Sequence, residues 1–345
     1  MRETTIYASP PGDTIREQLE MRRMTQREFA RRMDLTDKHV SHLLNGKVYL
    51  TKEMAYRLEM VLGIPVSFWL NLDALYQEKL IKLEEEKSIK EEAELAKKFP
   101  YAEMARFGWV KETRSLKEKV VALRQFFEVV RLSSATLELA NIVNFRVLAT
   151  TSRNELKLMA WTQQLLKESR KIEIKRFNIN KLKKSIESMR AMTKRTYAEF
   201  HEELIKLLAD CGVAFVVLPH MSGSYLHGAT FLDGSRTVMG VTMRGKHVDK
   251  FWFSFFHELA HVVLGHIHAE NTDVRKFEGE ADKFAADVLI PAKAYEEFSL
   301  SGKYTDRSIK GFARSIDIHP GIVVGRLQHD KLLTHKQMNH LKEEI

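Results

Sequence analysis

Apolar residues recur three and four apart along most of this chain, the spacing that gives a helix one face to bury. Residues 13 to 70 carry the pattern in short, interrupted pieces. A helix from Asp13 presents Ile15, Leu19 and Met24; Thr25 caps a second, TQREFARRM; a third begins at Thr36 with TDKHVSHLLNG. Phe29, Ala30, Leu35, Val40 and Leu43 fall at core spacing, and Ala30 is small where two helices must cross. Two short helices joined by a tight turn predict a helix-turn-helix, whose second member enters the DNA major groove. On that reading Thr36, Asp37, Lys38, His39, Ser41 and His42 face the bases, while Gln26, Arg27 and Lys47 hold phosphates.

The pattern then lengthens. Residues 75 to 99 mix both charge signs with Leu and Ile at helical intervals, which predicts one long exposed or partner-packed helix acting as a connector. From Pro100 to Ala149 the period stays helical, with Val120, Leu123, Phe127 and Val130 as an interior face. Past His201 it changes. LIKLLADC reads as a helix stopped by Gly212, AFVVLP as a buried strand, and GSYLHGATFLDG and TVMGVTMR as further strands with glycine turns. The expected organisation is a helix-turn-helix domain over 1–74, a helical middle over 75–194 and a third domain over 195–345. The expected fold class is mainly α, with an all-α first domain and a small α+β last one.

The most apolar stretch, FWFSFFHELAHVVLGHIH from Phe251 to His268, holds two histidines and a glutamate at its centre. A helix this apolar is buried nearly all round, and imidazoles and a carboxylate inside it need partners. His257 and His261 stand four apart, which puts both rings on one helix face about 6 Å from each other, able to share a small divalent cation. Neutral imidazole suits Zn²⁺, and a catalytic zinc site has three protein ligands and a position left for water. Glu258 is then the general base for that water. The third ligand is expected from a second helix, FEGEADKFAADVLIP, where Glu278 and Asp282 lie four apart. That offset lets one carboxylate bind metal while the other accepts the N–H of a ligating histidine and fixes its tautomer. Asp282 at this offset favours Glu278 as ligand, with Glu280 as the rival.

Weaker candidates surround this motif. An edge strand beside a metal helix can pair a substrate backbone as an added strand, and Val241 to Arg244 is the candidate, with Arg244 and Lys246 as candidate substrate contacts. His319 and Arg326 are candidates for stabilising an oxyanion, and His266 and His268 for extra ligation.

Composition narrows the class. With 345 residues, 44% hydrophobic content and seven prolines, the chain is expected to fold as two or three globular, helix-rich domains. It shows no apolar signal stretch and no run long enough to span a bilayer, and its single Cys211 forbids an internal disulfide framework; a cytoplasmic protein without a membrane partner is expected. The net charge of +9 is unevenly spread. Residues 1–74 hold 11 Lys plus Arg against 10 Asp plus Glu, so operator binding there calls for a homodimer that doubles the contacts. Residues 146–195 hold 14 against four. Lys171, Lys175, Arg176, Lys181, Lys183, Lys184 and Arg190, with Phe177 among them, form either a surface for nucleic acid or an acidic protein, or a solvated helical face.

The HELAH helix, the E-x-E-A-D-x-F-A-A-x-x-L-x-P helix and the strand VMGVTMR resemble the ImmA/IrrE group of zinc-dependent metallopeptidases, of the gluzincin clan, over roughly residues 195 to 335. The resemblance implies a small α+β peptidase domain with a short mixed sheet flanking the metal helix. It also implies a protein substrate, because members are similar in cutting helix-turn-helix repressors under stress or DNA damage. SIKGFARSIDIHPGIVVGRLQHDKLL is similar to the C-terminal segment of members that also carry a helix-turn-helix. Gln26, Ala30, Val40, Ser41, Leu44 and Gly46, with the trailing TKEMAYRLEMVLGIPVSFWLNL, resemble the Xre/HigA DNA-binding domains.

Two functions of different class follow. One is a DNA-binding, zinc-dependent metalloendopeptidase that cleaves a repressor or toxin-system component in a stress-response, phage-defence or toxin-antitoxin setting, held latent until nucleic acid or a partner relieves it. The other is a HigA-like transcriptional regulator or antitoxin whose metal domain binds a toxin or other partner without proteolysis.

Overall fold

The computed structural model describes residues 9–135, 152–224, 226–244, 247–269 and 273–344. Lys246 and residues 146–151 of the basic segment lie outside these. The chain forms two compact units that divide between Ala93 and Glu94.

The first unit contains α1 (Pro11–Met21), α2 (Gln26–Arg32), α3 (Asp37–Leu44), α4 (Lys52–Leu62) and most of α5 (Val66–Lys98). Thr25, Thr36 and Thr51 each accept the backbone N–H three residues on, at 3.2 Å. Each such cap contributes about 1 kcal/mol of helix stability. Ile15, Phe29, Ala30, Val40, Leu43, Leu58 and Trp69 close one core. The trailing segment breaks at Gly63-Ile64-Pro65, because a proline disfavours helix in the residue before it. Trp69, on the far side of that break, is fully buried in the same core. The expected connector is therefore continuous with a helix rooted in the helix-turn-helix core, and residue 74 falls inside it.

The second unit contains α6 (Tyr101–Arg106), α7 (Leu116–Phe127), α8 (Ser152–Ser169), α9 (Ile179–Ala191), α10 (Tyr197–Cys211), β1 (Val213–Leu218), β2 (Gly228–Asp233), β3 (Arg236–Thr242), α11 (Val248–Val263), α12 (Val274–Leu289), α13 (Ala292–Leu300), α14 (Asp306–Ser315) and α15 (Pro320–His329). The strand order is β1-β3-β2. β3 runs parallel to β1, Val213 facing Thr237, and antiparallel to β2, Gly228 facing Val241. Both edges of β3 are thus occupied. The expectation that Val241 to Arg244 offers a free edge does not hold: β3 is the most buried strand and takes the centre, and β2 is the edge strand that lies along α11.

The sheet is covered on both faces. Val213, Phe215, Met239 and Val241 share a core with Phe251, Trp252, Phe255 and Leu259 of α11. On the other face Gly240 has no room for a side chain, since a Cβ there would lie 2.6 Å from Leu165 and 2.9 Å from Trp161 of α8. A sheet with a parallel pair is covered by helices on both sides, which is why α8 packs into this unit; α9 joins the core on the α11 side through Leu182 and Met189.

Part of the basic segment is consumed by this packing. Arg190 is buried and donates to the carbonyls of Val288 at 2.7 Å, Leu289 at 3.3 Å and Ile316 at 2.5 Å, satisfying the ends of α12 and α14. Lys171 pairs with Glu168 and Lys175 with Asp210, and Phe177 packs against the core. Arg176, Lys183 and Lys184 are exposed. Among the described residues no helix is long and apolar enough to cross a membrane.

Candidate metal centre

The site is built on α11, whose residues are buried on nearly every side. Such a helix is held by packing all round, so the polar side chains along it are fixed in place. His257 and His261 project together, their Nε2 atoms 3.3 Å apart. α12, capped by Asp273, runs against α11 and brings Glu278 to the same point: Oε2 lies 3.1 Å from His257 Nε2 and Oε1 lies 3.5 Å from His261 Nε2. One helical turn on, Asp282 Oδ1 meets His257 Nδ1 at 2.8 Å.

Glu280 is carried elsewhere. Two residues along a helix is a rotation of about 200°, so it faces away from Glu278 and Asp282. It meets His266, in a 3₁₀ turn beyond α11, with Oε2 3.0 Å from Nε2. The structure therefore gathers Glu278 with the two histidines and places the rival Glu280 outside that group.

The donor set fits a cation. Asp282 accepts only if His257 Nδ1 carries the hydrogen, which leaves a lone pair on His257 Nε2. That nitrogen faces His261 Nε2 and a carboxylate, and with the His261 hydrogen on Nδ1 the three are acceptors that a cation or a proton can bridge. The titration of the metal-free chain expresses the same demand. Burial lowers the pKa of His257, but hydrogen bonds with Asp282 and Glu278 and the charges of Glu258 and Glu278 outweigh it and push it up to about 10. A proton there stands in for the cation. Two imidazoles and one carboxylate form the set expected of zinc with a coordination position left over, and one atom from each lies within 4.8 Å of the others.

Glu258 stands one helical turn before His261 on α11 and reaches toward β2 of the sheet. Its Oε2 accepts from the Thr230 hydroxyl at 2.6 Å, and both residues are buried. Its carboxylate rests directly on Gly228, at the start of β2. Sequence reasoning missed Thr230 and Gly228 and offered His266 only as an extra ligand; the HG in LHGATF was the available signal for Gly228, and it has no meaning until β2 is placed.

The weaker candidates fall differently. His319 caps α15, its Nδ1 accepting from Gly321 N–H at 3.1 Å and its Nε2 lying 3.3 Å from Glu343. Both ring nitrogens are committed there, and the structure does not bring His319 to the metal group, contrary to the oxyanion expectation. Arg326 donates to Asp330 at 2.8 Å and lies over the Tyr295 ring. His268 is not part of the group, whereas Arg244 lies 3.0 Å from Nε2 of His227, the residue before Gly228. Beside the group opens a cleft of about 580 Å³, whose lining includes His227, Phe253, Asp282, Ala286, Leu289 and Ile322.

In the first unit Gln26, Arg27, Asp37 and Lys38 are exposed at the starts of α2 and α3 and Lys47 is exposed beyond the end of α3, while His39, Ser41 and His42 are half-buried. Thr36 spends its hydroxyl oxygen on the cap of α3.

Comparison with known proteins matches residues 15–69 to the helix-turn-helix family model and residues 216–320 to that of the IrrE N-terminal-like domain. The N-terminal part is 47% identical over 62 residues to an uncharacterized HTH-type transcriptional regulator, YddM of Escherichia coli K12, covering 18% of this chain and 66% of that protein. It is 39% identical over 75 residues to a second such regulator, YbaQ of the same strain, covering 21% and 66%. The chain thus spans just under two thirds of either relative. An addiction module antidote protein of the HigA family from Coxiella burnetii shares 29% identity with it at a TM-score of 0.23, over 25% of this chain and 94% of that one. The chain therefore joins an Xre-type helix-turn-helix domain to a C-terminal IrrE/ImmA-like domain of the M78 peptidase family.

Proposed function

We propose that the C-terminal domain is a zinc-dependent metalloendopeptidase acting on a protein partner, and that the helix-turn-helix brings it, as a homodimer, to a double-stranded operator. The observation that carries the reading is the convergence of two groups on one helix: His257, His261 and Glu278 meet at one point beside α11, and the buried carboxylate of Glu258, one turn from His261, is held against the edge strand.

When bound by His257, His261 and Glu278, zinc supplies a Lewis acid that polarises the scissile carbonyl and acidifies water. Glu258 takes the proton from that water and returns it to the leaving amine. Thr230 donates to Glu258 and so fixes the carboxylate's orientation. Asp282 holds His257 with its Nε2 lone pair toward the metal. The outer edge of β2, which has no neighbouring strand among the described residues, offers its backbone groups to an extended segment of substrate. The adjoining cleft, walled by Phe253, Ala286, Leu289 and Ile322, takes an apolar side chain next to the scissile bond.

The setting we favour is regulatory, with a repressor or toxin-system component as substrate and latency relieved by nucleic acid or a partner. A second reading, a regulator or antitoxin whose metal domain binds a partner without cutting it, is favoured by the HTH-type regulators that the N-terminal part matches. Metal removal separates the two. Chelation stops cleavage and zinc restores it if the domain is a peptidase; partner binding with no cleavage in either state supports the regulator.

A further inference from the structure

The two histidines of the metal group are both held at the nitrogen that faces away from it, but by different means. His257 Nδ1 meets a carboxylate directly. His261 Nδ1 meets another imidazole, His266 Nδ1, at 3.0 Å, and His266 Nε2 then meets Glu280 Oε2 at 3.0 Å. His266 is 4% exposed and lies flat on Phe277, ring centroids 4.3 Å apart at 15°. The H-E-x-x-H motif requires none of this.

Hydrogen-bond chemistry links the three side chains. With His261 Nε2 on a cation, its Nδ1 carries a hydrogen that needs an acceptor. His266 Nδ1 can accept only if its own hydrogen sits on Nε2, and that hydrogen needs an acceptor in turn. Glu280, a carboxylate anchored on the outer side of α12, provides it. We infer that Glu280 and His266 form a relay that fixes the tautomer and ring orientation of His261, which makes them positioning residues for the metal rather than ligands. The relay is the counterpart on His261 of Asp282 on His257, with an imidazole inserted because the 3₁₀ turn at His266–His268 lies between His261 and α12. It also gives the carboxylate that loses the contest for the metal a role. The inference rests on the metal reading of His257, His261 and Glu278.

The test uses the full chain and reads metal, not activity. Zinc affinity is measured by competition with a chromophoric chelator, and the environment of the metal by the visible bands of the Co²⁺-loaded protein, for wild type, Glu280→Ala, Glu280→Gln, His266→Ala and Lys276→Ala. Glu280 is on the surface, 44% exposed, so its replacement leaves the metal-free fold intact even where His266→Ala does not. The expected result is a loss of zinc affinity of about 10- to 100-fold for Glu280→Ala, the size typical of an outer-shell partner. The cobalt bands shift with it, and Glu280→Gln, which keeps an acceptor oxygen, recovers part of the affinity. Lys276→Ala removes the other partner of Glu280, at 4.0 Å, and changes neither readout. Wild-type affinity in Glu280→Ala, or a loss that leaves the cobalt bands unmoved, would overturn the relay alone. A wild-type chain that takes up neither zinc nor cobalt would overturn the metal reading itself.

Discussion

Glu258 lies where a side chain on Gly228 would have to go: a Cβ at Gly228 would sit 2.6 Å from Glu258 Cγ and 2.7 Å from its Oε1. The edge strand β2 and Glu258 are thus fitted to one another with no atom to spare. Gly228→Ala is expected to displace the carboxylate and lower the cleavage rate by about 100-fold, the effect of a misplacement of roughly 1 Å. Zinc content should stay at the wild-type level, because the atoms nearest the added Cβ belong to Glu258 and Gly240 and not to His257, His261 or Glu278. Cleavage and metal assays on the same preparation check this; a proportional fall in both would mean that the strand supports the metal group instead.

Thr230 is the hydroxyl that holds Glu258. Thr230→Val keeps the shape and β-branching of the side chain and removes only the donor, so the sheet should survive. A hydrogen bond to a charged group contributes about 1.5–3 kcal/mol, and kcat should fall by tenfold or more with KM little changed. Thr230→Ser should restore most of it. Equal rates for Val and Thr would show that Glu258 is held by other contacts.

The tail of the chain is tied to the start of the metal helix. Lys342 Nζ lies 2.6 Å from Asp249 Oδ2 with both side chains buried, and Val248 N–H donates to the Glu343 carbonyl at 3.0 Å. Removing one partner of such a pair strands a buried charge at a cost of about 3–5 kcal/mol. Lys342→Ala should therefore destabilise by that order in urea unfolding, and Lys342→Met with Asp249→Asn by much less. An additive double variant would mean that the two charges do not interact.

Arg190 separates structural from nucleic-acid roles in the basic segment. It serves three carbonyls inside the second unit, so Arg190→Ala should cost about 3 kcal/mol of stability. Affinity for single-stranded DNA should not change. If the segment does bind nucleic acid, replacement of the exposed Lys183 and Lys184 weakens binding and leaves stability alone. Denaturant and filter-binding curves distinguish these outcomes.

The sequence made the helix pair legible, because H-E-x-x-H and the Glu278/Asp282 spacing both follow from one rotation per residue along a helix, although the helices begin at Val248 and Val274 and not at Phe251 and Phe277. Rotation also separates Glu278 from Glu280, once α12 is known to lie beside α11. What it cannot supply is contact across the sheet. Val241 to Arg244 read as an edge because the sequence carries no strand order, and Gly228 read as a turn residue although its function is to leave room for Glu258. His319 looked available for chemistry until the residues around Glu343 and Gly321 occupied it. In the first unit Thr25 and Thr36 announced their helices, while residue 74, the expected end of the domain, falls inside α5, which Trp69 roots in the core.

The central claim is tested most directly with two proteins, wild type and Glu258→Gln, each quantified for zinc and incubated with the proteins encoded beside it, with and without DNA. The account predicts one zinc per chain in both, cleavage of a partner by the wild type and none by the variant. Equal zinc with no cleavage by either, or the same cleavage by both, would contradict it.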